Sequence, residues 1–409
     1  MTPRAALSRV EFIALMAMLF ATIAFSIDSM LPALPAIAAE LSPDDINRAQ
    51  LILTSFVLGM GVGTFFTGPL SDRFGRKPVI LAGSALYILG AGLAFVAQGL
   101  ELVLIARFIG GVGAAAPRVV GLAIIRDLYS GREMARIMSF VMMVFTLFPA
   151  VAPLLGSIII AFAGWRTIFL TFILFAGLAA AWLAIRQPES LPVVKRRSLK
   201  PSDMWAAIQE IFAHPRVRLS ILAQTLCFAI LFMAITLIQP IFYDVFGRTQ
   251  TFPYWFAGMA LVAATGNILN AALVVRFGMR NLATIALGGQ AILSLLITLA
   301  WLSGLFPGAM FYLFLAWMTS VFFQVGLTLG NLNAITMEPM GHIAGIAASI
   351  SGAVATVIGA GLAIPVGLSF TNTPLPLTVG ILIAATTAFL VLLRMRQVDM
   401  RNPEWDATT

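Results

Sequence analysis

The chain has 409 residues, of which 60% are hydrophobic and 10% charged, with a formal net charge of +8. A soluble globular protein is about half apolar and about one quarter charged, so the composition excludes an ordinary soluble domain. The chain has one cysteine, which excludes an intrachain disulfide.

Apolar runs of about 20 residues, the length of a membrane-spanning helix, follow one another along the chain. A transmembrane β-barrel would need alternating strands of about ten residues, and the sequence has no such pattern. We therefore predict an all-α integral membrane protein. Its twelve predicted spans are 10–32, 47–70, 78–98, 101–125, 134–161, 165–186, 217–243, 253–275, 281–303, 308–331, 339–369 and 374–395.

The basic residues predict the orientation, because Lys and Arg accumulate in short cytoplasmic loops. With the N-terminus placed inside, 20 of the 25 lie on the cytoplasmic side. Only Arg48, Arg166 and Arg248 lie outside, while Arg107 and Arg118 fall within helices. Both termini are therefore predicted to be cytoplasmic. Membrane topology explains the basic excess better than nucleic-acid binding does.

The longest polar loop, 187–216, divides the chain into two predicted six-helix halves, 1–186 and 217–409. The tripeptide Arg-Phe-Gly at 73–75 recurs at 276–278, between the second and third helices of each half. Such duplicated halves are typical of transporters that bind substrate near the membrane midplane between the halves. The loop itself is predicted to be a cytoplasmic linker.

Three motifs resemble those of a known family. "GPLSDRFGRK", 68–77, resembles the loop 2–3 signature of the major facilitator superfamily. "RFIGGVG", 107–113, resembles the arginine-glycine motif of its proton-driven drug exporters. In predicted helix 5, Pro149, Pro153 and Gly156 resemble the antiporter motif of those exporters, which kinks that helix.

Two further stretches are similar to one branch of that family. "DSMLPALPAI", 28–37, and "AIIRDLYSGREMARIMSFVMMV", 123–144, resemble the bicyclomycin/chloramphenicol-resistance (Bcr/CflA) exporters. The chain departs from the antiporter motif at Ala152 and Ser157, where the family usually has glycine.

The resemblance implies a major facilitator fold and a proton-coupled multidrug efflux antiporter of the bacterial inner membrane. Such a protein exports small amphipathic or neutral compounds by alternating access. Its energy source is the proton gradient, with no cofactor and no enzymatic activity. The implied partners are the substrate, protons and lipid, and a monomer is expected. The alternative is a proton-coupled exporter or importer of one small metabolite.

The charged loop 68–77 is also the predicted conformational gate. The resemblance implies that Asp72 docks at the positive N-terminal end of predicted helix 11. Arg73 and Arg76 are expected to meet Asp127. The other interpretation is a solvated, positive-inside loop. The gate residues are Gly68, Asp72, Arg73, Gly75, Arg76 and Asp127.

Ionisable residues within membrane spans are costly and are candidates for function. Asp28 and Arg107 are predicted at matching depth near the outer side, so an ion pair between them is expected. Asp28 is the predicted proton carrier, and Arg107 is expected to modulate it. Asp28 in contact with interfacial water, and Arg107 as a structural hydrogen-bond hub, are the alternatives. Arg118, about three turns further along helix 4, is a candidate for substrate binding.

The C-terminal half has amides and aromatic residues within its predicted spans. Amides and aromatics suit a broad, partly apolar ligand, although helix–helix hydrogen bonding is the alternative. The predicted substrate-binding residues are Asp28, Arg118, Phe25, Gln224, Phe228, Phe232, Gln239, Trp317, Gln324 and Asn331.

Two other site types are not supported by the sequence. "GGVGAAA", 110–116, lies within a predicted helix with no strand before it, so close helix packing explains it better than phosphate binding. Neither a Walker A motif nor a cluster of metal-ligating residues is present, and the chain has only two histidines.

Cysteine labelling tests the predicted topology. In a Cys227→Ser background, Ser198→Cys should resist a membrane-impermeant thiol reagent in intact cells, whereas Asp45→Cys in the predicted outer loop should react. Strong labelling of Ser198→Cys from outside would reverse the assignment.

Overall fold

Helices account for all the regular structure in the part of the chain that the computed structural model describes, residues 7–196, 201–305 and 307–401. Twelve of them are long and apolar, which confirms the predicted all-α membrane architecture. The first six are α1 (Arg9–Asp28), α2 (Leu51–Phe74), α3 (Arg76–Val96), α4 (Leu100–Leu128), α5 (Gly131–Ala163) and α6 (Thr167–Arg186). The other six are α7 (Pro215–Pro240), α8 (Phe252–Phe277), α9 (Met279–Ser303), α10 (Met310–Met337), α11 (Ala344–Leu368) and α12 (Leu375–Arg401).

Two helix ends differ from the sequence prediction. The first predicted span breaks after Asp28, and the chain continues through a 3₁₀ turn, Leu31–Ala33, into a short helix, Leu34–Leu41. Between α10 and α11 a 3₁₀ segment replaces the predicted loop, so that 310–368 is one apolar helical stretch of 59 residues. Non-helical torsion angles at Met340 (φ −106°, ψ 27°) mark its break.

The chain divides into two compact units, Met1–Pro201 and Ser202–Thr409. The predicted linker loop, 187–216, contains a helix, Pro201–Ala213. Ala207 and Ile211, one turn apart, are buried, and Glu210 of this helix contacts His342 of the second unit (2.8 Å). Residues 197–200, including Ser198, and Arg4 lie outside the described residues.

The repeated Arg-Phe-Gly tripeptide has the same local structure in both units. Gly75 (φ +103°) ends α2, and Gly278 (φ +76°) ends α8. Both glycines have the positive φ that side chains disfavour, which explains why each tripeptide ends in glycine. In each unit the arginine also lies over the neighbouring phenylalanine ring, at 5.3 Å for Arg73 and 5.6 Å for Arg276.

Helix α4 is the centre of packing in the first unit, and its glycines make this possible. A methyl group on Gly111 would overlap the carbonyl oxygen of Phe56 in α2, and one on Gly113 would overlap that of Gly83 in α3. Small residues let membrane helices approach closely where no hydrophobic effect drives association. The segment 110–116 therefore packs helices, as its sequence context indicated.

Two neighbouring glycines provide a matched test of this seam. Gly111→Ala should destabilise the protein by about 1–3 kcal/mol, because the added methyl group forces α2 and α4 apart. Gly110→Ala should be neutral or stabilising, since its Cβ would lie 3.8 Å from Tyr87 O and alanine favours helix. A thiol-reactive dye that detects the buried Cys227 on heating gives the melting temperature of each variant. Equal melting temperatures would contradict the packing account.

Candidate functional site

Asp28 is the last residue of α1, and its side chain is buried. Helix α5 closes over this end of α1, because a methyl group on Gly156 would overlap the carbonyl oxygen of Ser29. No ion pair or hydrogen bond joins the Asp28 carboxylate to another of the described residues. The predicted proton carrier is thus a buried acid beside a break in its helix.

Arg107 binds Ser26, two residues before Asp28. Its Nη2 donates to Ser26 O (2.9 Å) and its Nη1 to Ser26 Oγ (3.3 Å). Among the described residues the expected Asp28–Arg107 ion pair is therefore not formed. The reason is helix geometry, because residues two positions apart point about 200° away from each other around the axis.

Tyr87 completes a buried polar cluster that the sequence analysis missed. Its hydroxyl lies 2.6 Å from Ser26 Oγ, so that α1, α3 and α4 meet through Tyr87, Ser26 and Arg107. The Arg107 guanidinium also lies 4.1 Å from the ring centroid of Phe56. Aromatic faces and a carbonyl stabilise this buried cation without a carboxylate. In this structure Arg107 therefore has the contacts that the alternative interpretation, a structural hydrogen-bond hub, predicts.

Phe25, a predicted substrate contact, belongs to an aromatic cluster within the first unit. Its ring centroid lies 5.3 to 5.9 Å from those of Phe148, Phe172 and Phe175. Such edge-to-face and tilted pairs stabilise helix packing. Because the ring centroid of Phe172 also lies 5.8 Å from the Arg107 guanidinium, this aromatic cluster adjoins Arg107.

The predicted gate residues converge on Arg76, at the start of α3. Arg76 Nη1 binds Asp72 Oδ1 (2.6 Å), and Arg76 Nε binds Asp127 Oδ2 at the end of α4 (2.9 Å). The expected contact of Arg76 with Asp127 is present, but Arg73 lies over Phe74 instead. Two residues separate Arg73 from Arg76, and one of them is Gly75, where α2 ends and the chain turns into α3. Docking of Asp72 at helix 11 stays a prediction.

Gly68 and Glu189 support this cluster. The carbonyl of Gly68 accepts a hydrogen bond from Ser71 Oγ (2.8 Å), and Ser71 Oγ in turn accepts one from Arg76 (2.7 Å). Glu189, after α6, accepts the backbone N–H groups of Arg76 (2.9 Å) and Lys77 (3.1 Å). A carboxylate at these free N–H groups caps α3. No sequence pattern predicted Glu189, since its partners are about 112 positions away.

The proline residues of the antiporter motif lie inside α5. Pro149 and Pro153 are one turn apart, and Gly156 follows at the contact with Ser29. Each proline removes one backbone hydrogen bond from the helix. These three residues therefore lie on the part of α5 that leads to the Asp28 end of α1.

The predicted polar residues of the second unit divide into two groups. Trp317 Nε1 donates to Ser294 Oγ of α9 (3.0 Å), and Asn331 Nδ2 donates to Asn270 Oδ1 of α8 (2.7 Å). Both hydrogen bonds join two helices, as the packing alternative expects, and a role of either side chain in substrate binding stays a prediction. In contrast, Gln224 Oε1 and Gln324 Nε2 are buried and have no partner among the described residues.

The remaining predicted contacts of the second unit lie on α7, and Arg118 lies on α4 of the first unit. Gln239 and Phe232 are buried and Phe228 is half-buried. The rings of Phe228 and Phe232 stack at a centroid distance of 5.5 Å. Stacked rings one turn apart present a flat apolar surface beside the amide of Gln224.

Ion pairs that the sequence analysis missed join the first and last helices of each unit. Glu11 of α1 binds Arg186 of α6 (2.7 Å). In the second unit the signs are exchanged, because Arg216 of α7 lies 3.7 Å from the buried Asp399 of α12. Asp399 also binds Arg280 of α9. Both clusters lie at the predicted cytoplasmic ends of the helices.

Several known proteins are similar to this chain in sequence or in fold. The sequence is 31% identical over 347 residues to a bicyclomycin resistance protein homolog of Haemophilus influenzae, covering 82% of this chain and 83% of that protein. It is 28% identical over 373 residues to the multidrug resistance protein MdtL of Escherichia coli O81 (strain ED1a), covering 90% of each.

The structural comparison agrees on the fold. A crystal structure of a D-xylose-proton symporter superposes with a TM-score of 0.71 at 18% identity, covering 95% of this chain and 97% of that one. The family model described as "Major Facilitator Superfamily" matches residues 14–364. Together with the twelve apolar helices, these matches show that the chain belongs to the major facilitator superfamily of membrane transporters.

Proposed function

We propose that this transporter is a proton-coupled multidrug efflux antiporter of the bacterial inner membrane, with both termini in the cytoplasm. The observation that carries the proposal is Asp28, a buried carboxylate at the broken end of α1 that none of the described basic residues pairs with. The names of its relatives, which refer to bicyclomycin and multidrug resistance, support export of drug-like compounds.

The geometry around Asp28 supplies the elements of a coupling mechanism. An acid that is buried in one state and hydrated or paired in another takes up and releases a proton as it alternates. Arg107 is held on the other side of α1 by Ser26 in this structure. A rotation or shift of α1 that releases this contact would bring the guanidinium toward Asp28 and favour loss of the proton.

The proton gradient is sufficient to drive such export. One proton moving down about 100 mV yields about 2.3 kcal/mol, and one pH unit adds about 1.4 kcal/mol. At about 1.4 kcal/mol for each factor of ten, the total corresponds to roughly 400-fold accumulation of a neutral substrate.

The second candidate function is transport of one specific metabolite. The partnerless amide atoms of Gln224 and Gln324 favour it, because such atoms suit a substrate with matching polar groups. A drug-susceptibility panel in an efflux-deficient host separates the two functions. Resistance to several unrelated compounds supports the efflux pump, whereas resistance to none of them supports the metabolite carrier.

Replacement of Asp28 tests the coupling. Asp28→Asn keeps the shape of the side chain but cannot exchange a proton, so it should retain substrate binding and exchange while losing uphill, pH-driven export. Vesicles containing the purified protein and an imposed pH gradient provide the measurement. The control is Asp44→Asn, an exposed acid in the predicted outer loop. Uphill transport with proton flux in Asp28→Asn would place the carrier elsewhere.

Replacement of Asp72 tests the gate. Asp72→Asn removes one of the two carboxylates on Arg76 and, with it, the predicted docking at helix 11, so turnover should fall several-fold while the protein still folds. Glu133→Gln, which breaks an exposed ion pair with Arg9, should leave turnover unchanged. Turnover per folded molecule in vesicles gives the comparison. Wild-type turnover in Asp72→Asn would argue for the solvated-loop interpretation.

A further inference from the structure

The first unit has an excess of positive charge within its membrane helices. Away from the ends of its apolar spanning stretches, of which the first is Arg9–Leu41, its described residues include two arginines, Arg107 and Arg118, and one acid, Asp28. The interior is therefore positive whether Asp28 is protonated or not. In the described part of the second unit, the charged residues lie near the helix ends, as Asp244, Glu338 and Asp399 do.

The two arginines differ in how their charge is stabilised. Arg107 has the carbonyl and hydroxyl of Ser26 and the face of Phe56. Arg118 has no ion pair, hydrogen bond or aromatic face among the described residues, and it is only half-buried. Arg118 is therefore the cation that can still bind something outside the protein.

Arg118 lies on the same side of α4 as Arg107. Eleven residues correspond to about three turns, so the two side chains share a face roughly 16 Å apart along the axis. One turn further on, the ring of Phe20 from α1 lies against Gly121. Phe20 and Gly121 are both buried, so α1 packs against α4 one turn from the half-buried guanidinium.

An unpaired arginine at this depth is costly unless it contacts water or an opposite charge. The planar guanidinium, with five donors, matches a carboxylate, sulfonate or phosphate through two parallel hydrogen bonds. The same charge repels a cationic ligand. We propose that Arg118 binds the anionic head group of an amphipathic substrate, so that this transporter prefers amphipathic anions to lipophilic cations. The substrate class deepens the proposed efflux function and rests on it.

Three pyrene probes with one apolar body test the proposal, namely 1-pyrenebutyrate, 1-pyrenebutylammonium and 1-pyrenebutanol. Energy transfer from the tryptophans of the purified protein in detergent measures the binding of each. The wild-type protein should bind the butyrate roughly tenfold or more tightly than the ammonium probe. Arg118→Gln should weaken butyrate binding by about the same factor and change butanol binding little. Arg118→Lys should be intermediate, because it keeps the charge but loses the paired donors.

The control is Arg126→Gln, an exposed arginine at the end of the same helix, which should bind all three probes as the wild type does. Absent butyrate binding, tighter ammonium binding, or unchanged butyrate affinity in Arg118→Gln would overturn the proposal. The order of affinities of the wild-type protein for the three probes needs no variant. It therefore tests the preference for anions even where Arg118→Gln does not fold. Binding is measured without a proton gradient, so a failure here is distinct from a failure of proton-driven export.

Discussion

The cost of placing a charge in hydrocarbon is the constraint on which the rest of this structure depends. It explains why the twelve long helices are almost entirely apolar and why most charged side chains lie at helix ends. There they form ion pairs, as Arg76 does with Asp72 and Asp127. Among the described residues, the few charged side chains that remain at depth are Asp28, Arg107 and Arg118, and our proposals on coupling and substrate recognition rest on them.

The two units solve the same problem with different residues. Each has an arginine stacked on phenylalanine before a glycine turn, which indicates a common origin for the halves. Each also ties its first helix to its last by an ion pair, but the acid and the base are exchanged. An ion pair stabilises the contact whichever helix carries the acid, so the acid and the base can be exchanged while the contact between the two helices is kept. In the membrane interior the halves differ more, because the charges are in the first and neutral amides are in the second.

Much of the fold was predictable from the sequence, since membrane thickness sets the length of an apolar helix. The spans, the repeat and the packing role of the α4 glycines follow from patterns of neighbouring residues. Side-chain partners across helices were not predictable in the same way. Arg107 and Asp28 share a depth, yet Arg107 binds Ser26, because rotation about the α1 axis decides which side chain faces α4. Glu189 binds the backbone of Arg76, and Ser294 binds Trp317, only because tertiary packing brings distant segments together. No pattern of neighbouring residues indicates such contacts.

The glycine seams of α4 have a mechanical consequence. Where the backbones of two helices are in direct contact, no side chain lies between them that could change rotamer as the helices move. We therefore expect α2, α3 and α4 to move together as one rigid group. Bending during transport then falls to the weaker places, of which the break in α1 after Asp28 is one. At that break, the backbone of α5 at Gly156 is in close contact with Ser29. We therefore expect a movement of this end of α1 to displace α5 as well. In the coupling that we propose, a proton that binds Asp28 would therefore act at this break in α1 rather than on the tightly packed helices α2, α3 and α4.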